Sequence, residues 1–187
     1  MTLLILGLFL FFGIHMIPMS PMKQTLITQL GDIKYKLTFS LISVIGLGLI
    51  IYGKSISAYV MLWPDSLLSH WFPVVLMWPA FILLLMFYLP SNLKRRIKHP
   101  MSYAIILFSL SHLVANGDLS SALIFICFAL YTLYSMLCAK PMQSTTTKVV
   151  SAKVNRLSVI MAIVIGTLVY AAFGHFHSEL IGVAVTV

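Results

Sequence analysis

The chain has 187 residues, of which 60% are hydrophobic and 9% charged, with 12 Lys and Arg against 4 Asp and Glu. Its mean hydropathy is +1.04. Soluble domains hold about 45–50% apolar and about 25% charged residues, so this balance excludes a soluble globular enzyme, a disordered chain and a disulfide scaffold.

Six stretches contain no Asp, Glu, Lys or Arg: roughly 2–17, 37–53, 71–89, 101–115, 119–139 and 157–173. Each predicts a membrane-spanning helix, some borrowing uncharged neighbours to reach the length of about 20 residues that a span needs. The runs are continuously apolar and do not alternate, which favours helices over a barrel and gives an all-α bundle of about six transmembrane helices. The first run lacks a basic leader and a small-residue cleavage site, so it is read as a span and not as a signal peptide. Residues 1–187 are read as a single transmembrane domain.

The charges order the loops. Eleven of the twelve Lys and Arg follow the first, third and fifth spans, including Lys94, Arg95, Arg96 and Lys98 after the third and Lys140, Lys148, Lys153 and Arg156 after the fifth. The positive-inside rule then places these loops in the cytoplasm and both termini outside, in the periplasm. Lys54, after the second span, is the exception. The turn from Ala115 to Leu119 is short enough to predict that the fourth and fifth spans are antiparallel neighbours. Gln143 to Lys153, rich in Ser, Thr and Lys, reads as a flexible loop. In the second span, Ser43, Gly46 and Gly53 are spaced for close helix packing. Pro79 predicts a bend in the third. Trp63, Trp71, Tyr88 and Tyr103 suit the membrane interfaces.

Of six histidines, His15 and His112 fall within spans, where an ionisable group marks a functional hypothesis. On a helical wheel Ser102, Ser109, His112 and Asn116 share one stripe of about 80°. Such a stripe faces protein or a cofactor. A neutral imidazole bonded to a neighbouring helix satisfies the burial rule equally well. The sharper reading is a b-type haem, whose iron takes one imidazole nitrogen on each face and whose macrocycle needs an apolar slot such as Phe11, Phe12, Phe108 and Leu113 offer. His99 begins the fourth span, about 20 Å along it from His112. It is therefore a separate group, able to pair with His15 only in a second arrangement. His70, His175, His177 and Glu179 gather on the predicted outer side as a weak metal-site candidate. Cys127 and Cys138 lie in one apolar run and build no CxxC motif. No phosphate loop, HExxH or GxSxG is present, and nothing implies nucleic-acid binding.

The segments GIHMIPM (Gly13 to Met19), FSLISVIGLGLIIYG (Phe39 to Gly53), YLPSNLKRRIKHPM (Tyr88 to Met101) and SHLVANGDLSS (Ser111 to Ser121) resemble the NnrU-like membrane proteins. That family includes the plant 15-cis-zeta-carotene isomerase. The resemblance implies a multi-pass protein of a bacterial inner membrane carrying haem b. It implies His15 and His112 as iron ligands and His99 as a further cofactor-binding histidine, with Ser109, Asn116 and Asp118 around them. Ser109 stands where the plant enzyme has a cysteine. The activities implied are a redox-gated cis-trans isomerisation of an apolar polyene, or a part in nitric oxide and nitrite metabolism (denitrification). Membrane lipid and a redox partner are the expected partners, and the oligomeric state is left open. A haem electron carrier or sensor, and a haem-free assembly or transport protein, are the competing readings.

Overall fold

The computed structural model describes residues 1–88, 97, 99–138 and 156–181. Lys94, Arg95, Arg96, Lys98, Lys140, Lys148, Lys153 and the segment 143–153 lie outside the described residues. The described residues are helical: α1 (Thr2–Met16), α2 (Met22–Leu30), α3 (Asp32–Ser55), α4 (Leu67–Tyr88), α5 (Pro100–Ala115), α6 (Leu119–Cys138), α7 (Arg156–His175) and α8 (His177–Ile181). Among them there is no strand, only an isolated antiparallel bridge between Met61 and Asp118. Five helices, α1 with its following turn, α3, α4, α6 and α7, are long and apolar enough to cross a membrane. The sixth apolar helix, α5, has 16 residues, about 24 Å against a hydrocarbon core of about 30 Å. Apolar side chains such as Phe9, Leu133 and Leu168 project from these helices, 76%, 47% and 63% exposed. A lipid surround suits such surfaces.

Two helices start four or five residues upstream of their charge-free runs. α3 begins at Asp32, where Lys36 one turn on donates to the Asp32 carboxylate at 2.6 Å, and an acidic residue suits a helix N-terminus. α4 begins after Ser66, whose hydroxyl accepts the Ser69 N–H at 3.4 Å while Ser69 Oγ accepts the Ser66 N–H at 3.2 Å. This is a reciprocal cap built from two serines. α2 was not expected. Met22, Leu26, Ile27 and Leu30 fall within an arc of about 140° that also holds Lys23, and Gln24, Thr25, Thr28 and Gln29 take the remainder. It ends at Gly31, whose φ of +80° is a conformation that favours glycine.

The chain forms two compact units, one of Met1–Trp63 with Gly117–Ala139 and the other of Pro64–Asn116 with Lys140–Val187. The boundary passes through the turn between α5 and α6. α5 packs on α4, and α6 belongs with α1 and α3.

In the first unit α1 and α3 pair antiparallel through glycines. A Cβ added to Gly7 would lie 2.7 Å from Ile50 N, one on Gly46 would lie 2.9 Å from Phe11 N, and one on Gly53 would run into the backbone of Leu4. Leu4 is fully buried there. The close approach expected of Gly46 and Gly53 is therefore present, with Gly7 as a third member. Ser43 instead donates within its own helix to the Phe39 carbonyl at 2.7 Å. The segment before α4 is tied to the start of α6, with Leu62 N–H donating to the Gly117 carbonyl at 2.7 Å and Leu119 N–H to the Val60 carbonyl at 2.9 Å.

In the second unit α4 contacts both α5 and α7. Its helix continues through Pro73 and Pro79. Pro79 offers no N–H to the preceding turn. Neighbouring hydroxyls reach carbonyls nearby: Ser111 Oγ donates to that of Pro73 at 3.2 Å and Tyr170 Oη to that of Val74 at 3.0 Å. Trp78 Nε1 donates to Thr167 Oγ1 at 3.0 Å. Ile82, Met86 and Ala162 form a buried core, and Gly166 lets Ile82 approach closely.

Candidate functional site: two histidines at helix ends

His15 lies in the last turn of α1. Its Nδ1 is 2.6 Å from the carbonyl oxygen of Phe11, one turn earlier, and its ring is tilted against the Phe11 ring at 4.3 Å between centroids. Phe39 from α3 and Tyr131 from α6 meet the imidazole edge-on at 5.0 and 5.9 Å. Phe12 packs on Phe128 and Tyr131 at 5.0 and 5.4 Å, extending the aromatic wall. The Tyr131 hydroxyl donates to the His15 main-chain carbonyl at 3.2 Å.

His112 lies in the last turn of α5, in the other unit. Its Nδ1 is 2.9 Å from the Phe108 carbonyl oxygen, and its ring is tilted on Phe108 at 4.2 Å. Asn116 caps the helix end, donating to the His112 carbonyl from its N–H at 3.0 Å and from Nδ2 at 2.9 Å.

Both histidines therefore close a Phe-x-x-x-His sequence at a helix C-terminus. A carbonyl oxygen can only accept, so Nδ1 is the donor in each of these contacts. A ring N–H held by a backbone carbonyl is the arrangement that orients metal-ligating histidines. Both are half-buried.

The other expected site residues fall elsewhere. Ser109 is fully buried and donates to the Ile105 carbonyl at 2.8 Å, within its own helix. His99 is the half-buried N-cap residue of α5, and its carbonyl accepts the Tyr103 N–H at 3.0 Å. His70 Nδ1 is 3.0 Å from the Ser66 carbonyl oxygen. His175 packs edge-on to Phe176 and His177 to Phe173. Among the described residues no group of three or more His, Cys, Asp or Glu could hold a metal ion. The outer metal-site candidate of His70, His175, His177 and Glu179 is therefore not assembled there.

Asp118 anchors a different cluster, wholly within the first unit. It precedes α6 as its N-cap residue, and its carboxylate accepts the Ser121 N–H at 2.9 Å. It also accepts the hydroxyls of Ser120 and Ser121, both at 2.5 Å. Lys54 donates to the Ser121 hydroxyl and lies 3.5 Å from Asp118 Oδ2. Burial alone would raise the Asp118 pKa; the serine hydroxyls, the Ser121 N–H and Lys54 outweigh it and bring the value to about 2. The carboxylate is thus committed to a helix start, and Lys54, the exception in the charge pattern, is its counter-ion. Gly117 beside it has no room for a Cβ, which would run into the Trp63 carbonyl.

The Phe-x-x-x-His repeat was readable in the sequence. Phe39, Phe128 and Tyr131 were not, because they come from other helices. The family model described as NnrU protein matches residues 3–185. No curated protein and no solved structure matches the chain. The chain belongs to the NnrU family.

Proposed function

We propose that this chain is a membrane-embedded haem b protein in which His15 and His112 are the two iron ligands. The observation that carries the reading is the shared state of the two imidazoles. Each is held by an Nδ1 hydrogen bond to the carbonyl four residues earlier, the contact that orients a metal-ligating histidine, and Nε2 is the nitrogen that would meet the iron. Each imidazole has apolar rings beside it within its own unit, as a macrocycle face needs: Phe11 and Phe39 at His15, with Phe12 and Phe128 next to them, and Phe108 at His112. When bound, haem b supplies a redox-active iron. The chain's own residues orient the imidazoles, exclude water with aromatic rings and keep the buried carboxylate of Asp118 out of acid–base work.

Within this reading the activity is redox-gated and isomerase-like on an apolar polyene, or belongs to nitric oxide and nitrite metabolism, as the family resemblance implies. The location is the inner membrane of a bacterium. The apolar rings beside each imidazole favour a polyene over a charged substrate.

The test is an absorption spectrum of detergent-purified protein before and after dithionite, repeated on His15→Ala and His112→Ala. The expected result is a Soret band that sharpens on reduction in the parent protein and is lost or shifted in both variants. Folded protein that stays featureless after haemin is added overturns the reading, as do two variants that keep the full spectrum.

A further inference from the structure

Resting on the haem reading, we propose that Tyr131 is the positioning residue that sets the His15 imidazole for its ligand. The need for it arises in the main chain. After Met16 the helix tightens into a 3-10 turn, Ile17–Met19, with Pro18 inside it. His15 lies in the last turn of α1, where the carbonyls have no partner further along the α-helix. Pro18, three residues on from His15, has no N–H to offer it. A carbonyl inside a membrane protein without a donor is costly. The Tyr131 hydroxyl supplies one from α6, at 3.2 Å.

The same side chain also touches the ring it would position. Tyr131 stands edge-on to His15 at 5.9 Å and packs on Phe12 at 5.4 Å. Phe128, one turn earlier on α6, packs on both Phe11 and Phe12. Thr132, the next residue, is 1% exposed and bonded within its helix to the Phe128 carbonyl at 2.7 Å, so this part of α6 is firmly seated. The imidazole is therefore held at Nδ1 by Phe11, at its edge by Phe39 and Tyr131, and at its main-chain carbonyl by Tyr131. Among the described residues no hydrogen bond reaches Nε2. Three fixed points and one open nitrogen describe a pre-oriented ligand, whose ordering cost is met on folding and not on binding.

The test compares the parent protein with Tyr131→Phe, which removes only the hydroxyl. Tyr134→Phe, on an exposed side chain of the same helix, is the matched control. Each is titrated with haemin in detergent, and the ferric low-spin EPR signal, which reports axial imidazole orientation, is recorded. Tyr131→Phe is expected to bind haemin about fivefold more weakly, the size of one lost hydrogen bond, and to broaden or split the low-spin signal. Tyr134→Phe is expected to match the parent. In a His15→Ala background, Tyr131→Phe is expected to change the spectrum no further, because its effect runs through His15. Parent-like affinity and EPR in Tyr131→Phe overturn this proposal alone, as does an equal spectral change in the His15→Ala background. A parent protein that takes up no haemin overturns the haem reading and this proposal together.

Discussion

Lys54 and Asp118 stand 64 residues apart in the chain and 3.5 Å apart in the fold, with the Ser121 hydroxyl bridging them. The pair explains why one lysine departs from the charge pattern of the loops. Its position answers to a buried carboxylate. Asp118 is also the N-cap of α6 and sits in the segment bonded to Val60 and Leu62, so its loss has several consequences at once. Asp118→Asn keeps the shape and removes the charge. It is expected to lower stability by about 1–3 kcal/mol, read as a lower melting temperature in detergent. Lys54→Met leaves the serine and backbone donors in place and is expected to cost less.

The same carboxylate gives a pH dependence of known sign. Its folded pKa is depressed from the ordinary 3.8 to about 2. The stabilisation is therefore fully present above 3.8 and is lost as the pH falls through about 2. Melting temperature measured between pH 5 and 2 is expected to drop more steeply in the parent protein than in Asp118→Asn. Parallel curves for the two proteins would remove Asp118 from the acid response.

The spans were legible because hydropathy over about 20 residues is set by the membrane and not by the partners a helix finds. Their starts were less so. Asp32 and Lys36 are charged yet helical, since an i,i+4 pair satisfies both on the helix surface. α2 carries too few apolar residues to stand out in a chain this hydrophobic. The two histidines were legible as ionisable groups inside apolar runs. What surrounds His15 was not, because Tyr131 reaches it across 116 residues of chain, and no local spacing encodes that contact. Asp118 was readable as part of a motif, but its role required Lys54 to be placed beside it.

Glycine packing between α1 and α3 positions Phe39 against His15, so it should be sensitive to any added side chain. Gly46→Leu puts a branched group where a Cβ alone would lie 2.9 Å from the Phe11 backbone. The expected loss is at least about 1–3 kcal/mol, the usual cost of overpacking. Gly48→Ala, two residues along the same helix, meets nothing within 4 Å and is expected to be tolerated. Fluorescence-detected size exclusion after a heat step separates the two. Equal survival would mean that the α1–α3 contact is looser than described.

Asn116 offers a graded test of how the end of α5 is held. Its Nδ2 and its main-chain N–H both donate to the His112 carbonyl. Asn116→Ala removes one of these donors and leaves the other, at an expected cost of about 0.5–1.5 kcal/mol. Asn116→Asp is nearly the same size but turns the donor into an acceptor, and it sets a negative charge at the negative end of the helix dipole. It is therefore expected to be less stable than the alanine variant at neutral pH. Protonating the introduced carboxyl should recover part of the difference, since the acid form can donate again. The parent melting highest, Asn116→Ala next and Asn116→Asp lowest at pH 7, with the two variants converging as the pH is lowered, is the signature of a side-chain donor on that carbonyl. If Asn116→Asp melts at or above Asn116→Ala, the side-chain bond to His112 does not carry the helix end.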